Sequence, residues 1–387
     1  FIGASFLHGY YLIDNVQITF GAKDTFYPAQ VDADQLHDLG ITGDGVTVAV
    51  VDTGFWKHNA LKNDVSGDTR ILIQYDAIAD SAQNNMNNPA SDDGSGHGAH
   101  VTSIIANSFS YNGKYFSMAP DARLVAVKAF DDNGAGAYTD VIRGLDWILT
   151  HKDSHNIRVA NLSFSGDLHS YYWDDPLNQA VMRLWQAGIV VVTAAGNAGP
   201  EPMTIGVPGN VPYVITAGAM SDNYSTDEGG DDFLASFSST GPTHEGFLKP
   251  EVVAPGGHVW ALMPDYATLV VDHPEFLNEA YYFTMSGTSQ ATAVVSGIVT
   301  LMLQADPNLT PDEVKYRLLD SARPAVNSDG TRTYSNFQQG AGIVNAYDAV
   351  HNAGTGFANA NLDIGLDLTV GQHYGGPANQ DADGNFY

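Results

Sequence analysis

The stretch VTVAVVDTG, residues 46–54, decides the fold: a short run of apolar and β-branched residues ends in Asp52 and a turn at Thr53 and Gly54. A continuous run of that length suits a strand covered on both faces, as the strands of a parallel sheet are. Outward from it, similar runs alternate with longer amphipathic segments. The pattern predicts strands at 47–52, 123–129, 158–163, 189–195 and 213–217, and helices at 97–108, 138–152, 176–187, 289–306, 311–321 and 346–352. Such alternation gives an α/β class, with a doubly wound, mainly parallel sheet and helices on both faces.

Two of the helices carry further information. Thr310, Pro311 and Glu313 form an N-terminal signature of cap, first-turn proline and capping box. The segment after Ser289 is apolar nearly all round, so it reads as a buried central helix that ends before Pro307.

Composition narrows the function. The 387 residues hold 16 Lys and Arg against 44 Asp and Glu, a formal charge of −28, with no basic run to follow a phosphate backbone. Nucleic acid is not an expected partner. With no cysteine, disulfides, thiol catalysis and thiolate metal sites are excluded. The longest apolar stretches fall far short of the roughly 20 residues that cross a bilayer, so no membrane association is expected. The chain begins at Phe1 and shows no basic region followed by an apolar one, which reads as an export signal removed or never present.

Four segments supply the parts of an acyl-transfer site. Hydrolysis of a peptide at neutral pH needs a nucleophile, a base, a group that orients the base, and donors where negative charge develops. Asp52 emerges at the carboxyl edge of the sheet, where open α/β folds place their sites. His97, in DDGSGHGAHV (92–101), stands at the start of a helix entered through glycines. Ser289, in MSGTSQATAVVSG (285–297), opens the buried helix, where free amides and the helix dipole favour an oxyanion. Asn197 follows VVVTAAG (190–196) and can donate a second hydrogen bond to that oxygen. His100 reads as a structural partner, not a metal ligand.

In that order, Asp, His, Asn and Ser, these segments resemble the subtilisin-like serine proteases, the subtilase family. AFDDNGAGAY (129–138), NLSFSG (161–166), FSSTGP (237–242), KPEVVAPG (249–256) and GAGIVNAYDAV (340–350) fit the same family, and the resemblance covers residues 29–352. It implies a subtilisin-like three-layer α/β/α domain and a secreted endopeptidase with Asp52, His97 and Ser289 as triad. Asn197 and the Ser289 amide would form the oxyanion hole, supported by Thr288. Gly134, Ala135 and Gly136, with Ser163, Phe164, Ser165 and Gly166, would clamp an extended substrate as an added strand. The primary pocket maps onto Ala194, Ala195, Gly196 and the 163–166 stretch, with Gly206 at its base. None of these is charged, so large apolar or aromatic residues are expected on the acyl side of the cut.

The chain departs from the family at Gln290, Thr292, Ala293 and Val294, where Met, Ser, Pro and His are usual, and at Ser165, where Gly is usual. The resemblance further implies extracellular localisation, a prodomain partner during maturation and a structural calcium ion, with no cofactor for catalysis. Calcium positions are not assigned. The acidic stretches at 222–232 and 92–93 are candidates that solvated loops explain equally well. At the C-terminus, Asp381, Asp383 and Asn385 start a calcium-loop pattern that lacks its closing Glu. Residues 1–28, with Val16, Ile18 and Phe20 alternating, form an N-terminal extension, and residues 353–387 a linker and C-terminal extension. The alternative is a catalytically silent relative serving as an acidic cation-binding or surface adhesion domain, in which the triad should be degraded.

Overall fold

All six residues of the Thr47–Asp52 strand are buried, and the strand runs between Arg123–Lys128 and Ile157–Leu162, parallel to both. The computed structural model describes residues 2–3, 27–223, 232–278 and 281–387. The sheet order is Phe233–Leu234, Ile215–Ser221, Val190–Ala194, Ile157–Leu162, Thr47–Asp52, Arg123–Lys128, Ile71–Asp76, Ser81–Gln83, with Val252–Pro255 also paired to Ile215–Ser221. Only the two short strands at 233–234 and 81–83 are antiparallel to their neighbours. From Thr47–Asp52 the later strands go to opposite sides, 71–76 and 123–128 one way and 157–162 onward the other. The crevice beyond its carboxyl end is therefore the topological switch point.

Two helical layers cover this sheet. Thr288–Ala305, buried from Thr288 to Leu303, packs on His97–Ala106 and across the strands at 157–162, 190–194 and 215–221. Tyr138–His151 and Pro176–Gln186 pack on one another and on strands 47–52 and 190–194. Tyr138–His151 buries Val141, Gly144, Leu145 and Ile148, the spacing of one helical stripe. At Pro311–Asp320 the capping box is formed: the Glu313 amide donates to Thr310 Oγ1 at 3.3 Å and the Thr310 amide to Glu313 Oε2 at 2.9 Å.

Some elements depart from the sequence reading. The strand expected at 213–217 runs instead over Ile215–Ser221, and Ile71–Asp76 and Val252–Pro255 were not expected. Gln74 interrupts the apolar run of Ile71–Asp76, yet it is buried because its amide exchanges hydrogen bonds with the backbone of Ala90. Residues 16–20, read as alternating, lie outside the described residues. The backbone of Ile2–Gly3 pairs antiparallel with Ala135–Gly136.

The segment read as linker and extension is packed on the core. It forms the helix Ile364–Val370, whose buried Asp367 accepts from Tyr172 Oη at 2.6 Å, Tyr213 Oη at 3.0 Å and His373 Nδ1 at 2.7 Å. Asn359 Nδ2 donates to Tyr213 O at 2.9 Å.

Candidate active site

Parallel strands bring Asp52, Ser163 and the approach to Asn197 to one sheet edge, because the strands they follow are consecutive neighbours. Asp52 ends its strand buried, with Oδ1 accepting from the Thr53 amide at 2.8 Å and from His97 Nδ1 at 2.7 Å. Donation from Nδ1 to a carboxylate fixes the neutral imidazole as the tautomer whose Nε2 carries the lone pair. His97 is itself buried, at 2% exposure. Burial works against its charged form, but the charge and hydrogen bond of Asp52 and the charge of Asp93 outweigh it, so its pKa lies above the ordinary histidine value.

Ser289 sits in the first turn of Thr288–Ala305. Its hydroxyl donates to Ser163 O at 2.9 Å, while Ser163 Oγ donates to Ser289 O at 2.9 Å, so Ser289 and the 163–166 stretch hold each other. The tie continues inward: Asn161 Nδ2 donates to Ser163 Oγ at 2.9 Å and Ser296 Oγ to Asn161 Oδ1 at 2.8 Å. Neither Asn161 nor Ser296 stood out in the sequence, since they lie 135 residues apart.

Asn197 is oriented by Thr288. Its Oδ1 accepts from the Thr288 amide at 2.9 Å and from Thr288 Oγ1 at 3.0 Å, and Thr288 Oγ1 accepts from the Gly196 amide at 3.2 Å. With Oδ1 so engaged, Nδ2 is turned to the other side. Asn197 Nδ2 and the Ser289 amide lie near one another: the point that a Cβ on Gly287 would occupy is 3.6 Å from the first and 3.7 Å from the second, with Gln290 Oε1 nearer still at 2.8 Å. Such a pair is what a developing oxyanion needs. Gln290, which replaces the usual Met, places Nε2 at 3.3 Å from His100 Nδ1, and His100 Nε2 donates to Phe283 O at 3.0 Å. His100 is thus a neutral structural residue, its pKa pushed by burial down to about 3.

The two substrate stretches share one support. A Cβ on Gly136 would meet Phe130 Cδ1 at 2.7 Å, and the buried Phe164 ring packs on Phe130 with centroids 4.9 Å apart. Phe164 therefore offers its backbone to the cleft, while its ring faces the core. Gly134 takes the left-handed conformation, φ 74°, that turns the chain into Ala135 and Gly136. Their edge is already paired with the backbone of Ile2–Gly3.

In the pocket region the Gly166 amide donates to Val207 O at 2.8 Å and the Gly206 amide to Ala195 O at 3.2 Å. Ser165 Oγ stands between the glycines: a Cβ would lie 2.0 Å from it at Gly206 and 3.0 Å at Gly196. The Ala194 end of its strand completes this wall and is buried. Ser165, where the family usually has glycine, thus fills the space between Gly196 and Gly206.

Comparison with known proteins gives the family. The sequence profile described as "Subtilase family" matches residues 43–342. Serine protease AprX of Bacillus subtilis (strain 168) is 39% identical over 316 residues, spanning 80% of this chain and 67% of that protein. Subtilisin E of the same organism is 31% identical over 341 residues, spanning 87% and 74%. Among solved structures, fervidolysin from Fervidobacterium pennivorans superposes with a TM-score of 0.64 at 25% identity, covering 84% of this chain but 45% of that one.

Proposed function

Since the chain belongs to the subtilase family and is a subtilisin-like serine endopeptidase, we propose that Asp52, His97 and Ser289 are its triad and Asn197 its side-chain oxyanion donor. The observation that carries this reading is the 2.7 Å bond from His97 Nδ1 to Asp52, beside the strand end at Ser163 that Ser289 Oγ bonds and the Thr288 amide that bonds Asn197. Ser289 Oγ turns from Ser163 O, gives its proton to His97 Nε2 and bonds to the scissile carbonyl carbon. The oxyanion sits on Asn197 Nδ2 and the Ser289 amide. As the C–N bond breaks, His97 returns the proton to the leaving amine. Water then repeats the sequence on the acyl-enzyme.

Gly134, Ala135 and Gly136, with Ser163, Phe164, Ser165 and Gly166, receive the substrate backbone as an added strand. The pairing of Ile2–Gly3 on that edge supports the assignment, because it is the kind of contact a substrate strand would make. Ala194, Gly196 and Gly206 line an uncharged pocket for apolar or aromatic residues on the acyl side. Digestion of a peptide library tests both parts. Cleavage should follow large apolar residues, Ser165→Gly should extend it to the bulkiest aromatics, and Ser289→Ala should abolish it. Cleavage directed by Lys, Arg or Glu would contradict the pocket, and an active Ser289→Ala variant the triad.

Export from the cell and a prodomain partner belong to this proposal on family likeness. No described helix is long and apolar enough to cross a membrane. A structural calcium ion has the same standing. Among the described residues no group of three or more His, Asp or Glu side chains gathers to hold a metal. Asp93 spends both oxygens on the Gly96 and Ala99 amides, and Asp381 Oδ1 accepts from the Asp383 and Asn385 amides. The chemistry above routes no step through calcium.

A further inference from the structure

We propose that Asp93, acting with Thr53 on the helix that carries His97, is a positioning residue for the catalytic base. The helix His97–Ala106 needs one, because its N-cap is Gly96, which has no side chain to satisfy the first-turn amides. Asp93 takes that role from three residues upstream. Its Oδ1 accepts from the Gly96 amide at 2.8 Å and its Oδ2 from the Ala99 amide at 2.6 Å. Thr53 Oγ1 accepts from the Gly98 amide at 2.9 Å and donates to Asp93 Oδ1 at 2.8 Å. The same hydroxyl lies 3.3 Å from Asp52 Oδ1. Amides on both sides of His97 are thus held by two side chains, one of which adjoins the carboxylate that orients the ring.

A solvated loop would not account for this arrangement. Asp93 is 1% exposed, and a buried carboxylate is costly unless its hydrogen bonds are complete. Burial raises its pKa, against which the Gly96, Ala99 and Thr53 donors work. In its ionised form Asp93 adds a second negative charge behind His97, and it favours the imidazolium that forms during proton transfer. The other groups around this turn are accounted for. His100 is neutral, Asp92 Oδ1 accepts from the Phe55 amide at 2.6 Å, and Lys128 Nζ donates to Thr53 O, Asp92 O and Asp132.

The test measures the pH profile of peptide hydrolysis by intact Asp93→Asn and Thr53→Val chains. Asp93→Asn loses the charge and at least one bond to the helix. Its kcat should fall by about 10- to 100-fold with KM within about twofold, and the acid limb of kcat/KM should move to lower pH. Thr53→Val loses the bridge but keeps the charge, so its kcat should fall with the acid limb in place. Wild-type kcat in both variants, or an Asp93→Asn loss with an unmoved acid limb, would overturn the inference. If Asp93→Asn does not fold, Thr53→Val decides it through kcat alone. The inference rests on His97 as base, so reaction of wild-type Ser289 with a serine-directed phosphonylating reagent is run alongside. Failure of that reaction sinks the triad, whereas normal reaction with unaltered variants sinks only the positioning role.

Discussion

At the scale of single residues, the proposed oxyanion donor, Asn197, makes the sharpest demand on the site. Thr288 holds Asn197 Oδ1 through its amide and its hydroxyl, so the opposite side of the side-chain amide is committed to donation. Asn197→Ala should lower kcat by about 10²–10³-fold, the loss already known for removing such a donor from a subtilisin. KM should change little, because the bond strengthens only as charge develops. Steady-state kinetics on one peptide substrate checks this, and an unchanged kcat would remove Asn197 from the mechanism. Asp52, His97, Asn197 and Ser289 could be picked out in the sequence because each sits in a short string with its own turn or helix start. Asp93, Thr53, Asn161 and Ser296 could not. Their roles are hydrogen bonds across 40 residues in one case and 135 in the other, and no local pattern encodes such partners.

Among the elements, legibility followed apolar continuity. The helix expected at 289–306 runs from Thr288 to Ala305, a long apolar segment buried from Thr288 to Leu303. The strand Ile71–Asp76 escaped notice because Gln74 breaks its run, and Val252–Pro255 because it ends in a proline. The most consequential short element is Ile2–Gly3, whose pairing with Ala135–Gly136 takes the edge on which the proposed substrate strand would pair. Removing residues 1–3 should therefore lower KM for an extended tetrapeptide by about threefold, the worth of a backbone hydrogen bond or so, with kcat unchanged. A small ester that does not reach this edge should show no change. Equal KM values for the two chains on the tetrapeptide would mean that the pairing does not compete with substrate.

On the scale of the whole molecule, the proposed site lies at the switch point of the sheet, and the C-terminal helix Ile364–Val370 packs on Pro176–Gln186. Asp367 draws Tyr172, Tyr213 and His373 together, so residues that looked like a linker are part of the folded body. Their composition hid this: the sequence from 353 onward is rich in Gly, Asn and Ala, and one buried carboxylate with three donors supplies the anchor. The charge of −28 is carried by a protein whose proposed pocket is lined by uncharged residues. In the proposed mechanism this body presents Ser289 as its nucleophile. A serine-directed phosphonylating reagent, followed by peptide mass analysis and assay of the same sample on an apolar chromogenic peptide, tests it most directly. One label is expected, on Ser289, with activity lost in proportion to labelling; a folded, active protein that stays unlabelled, or a label elsewhere with activity lost, would rule Ser289 out as the nucleophile.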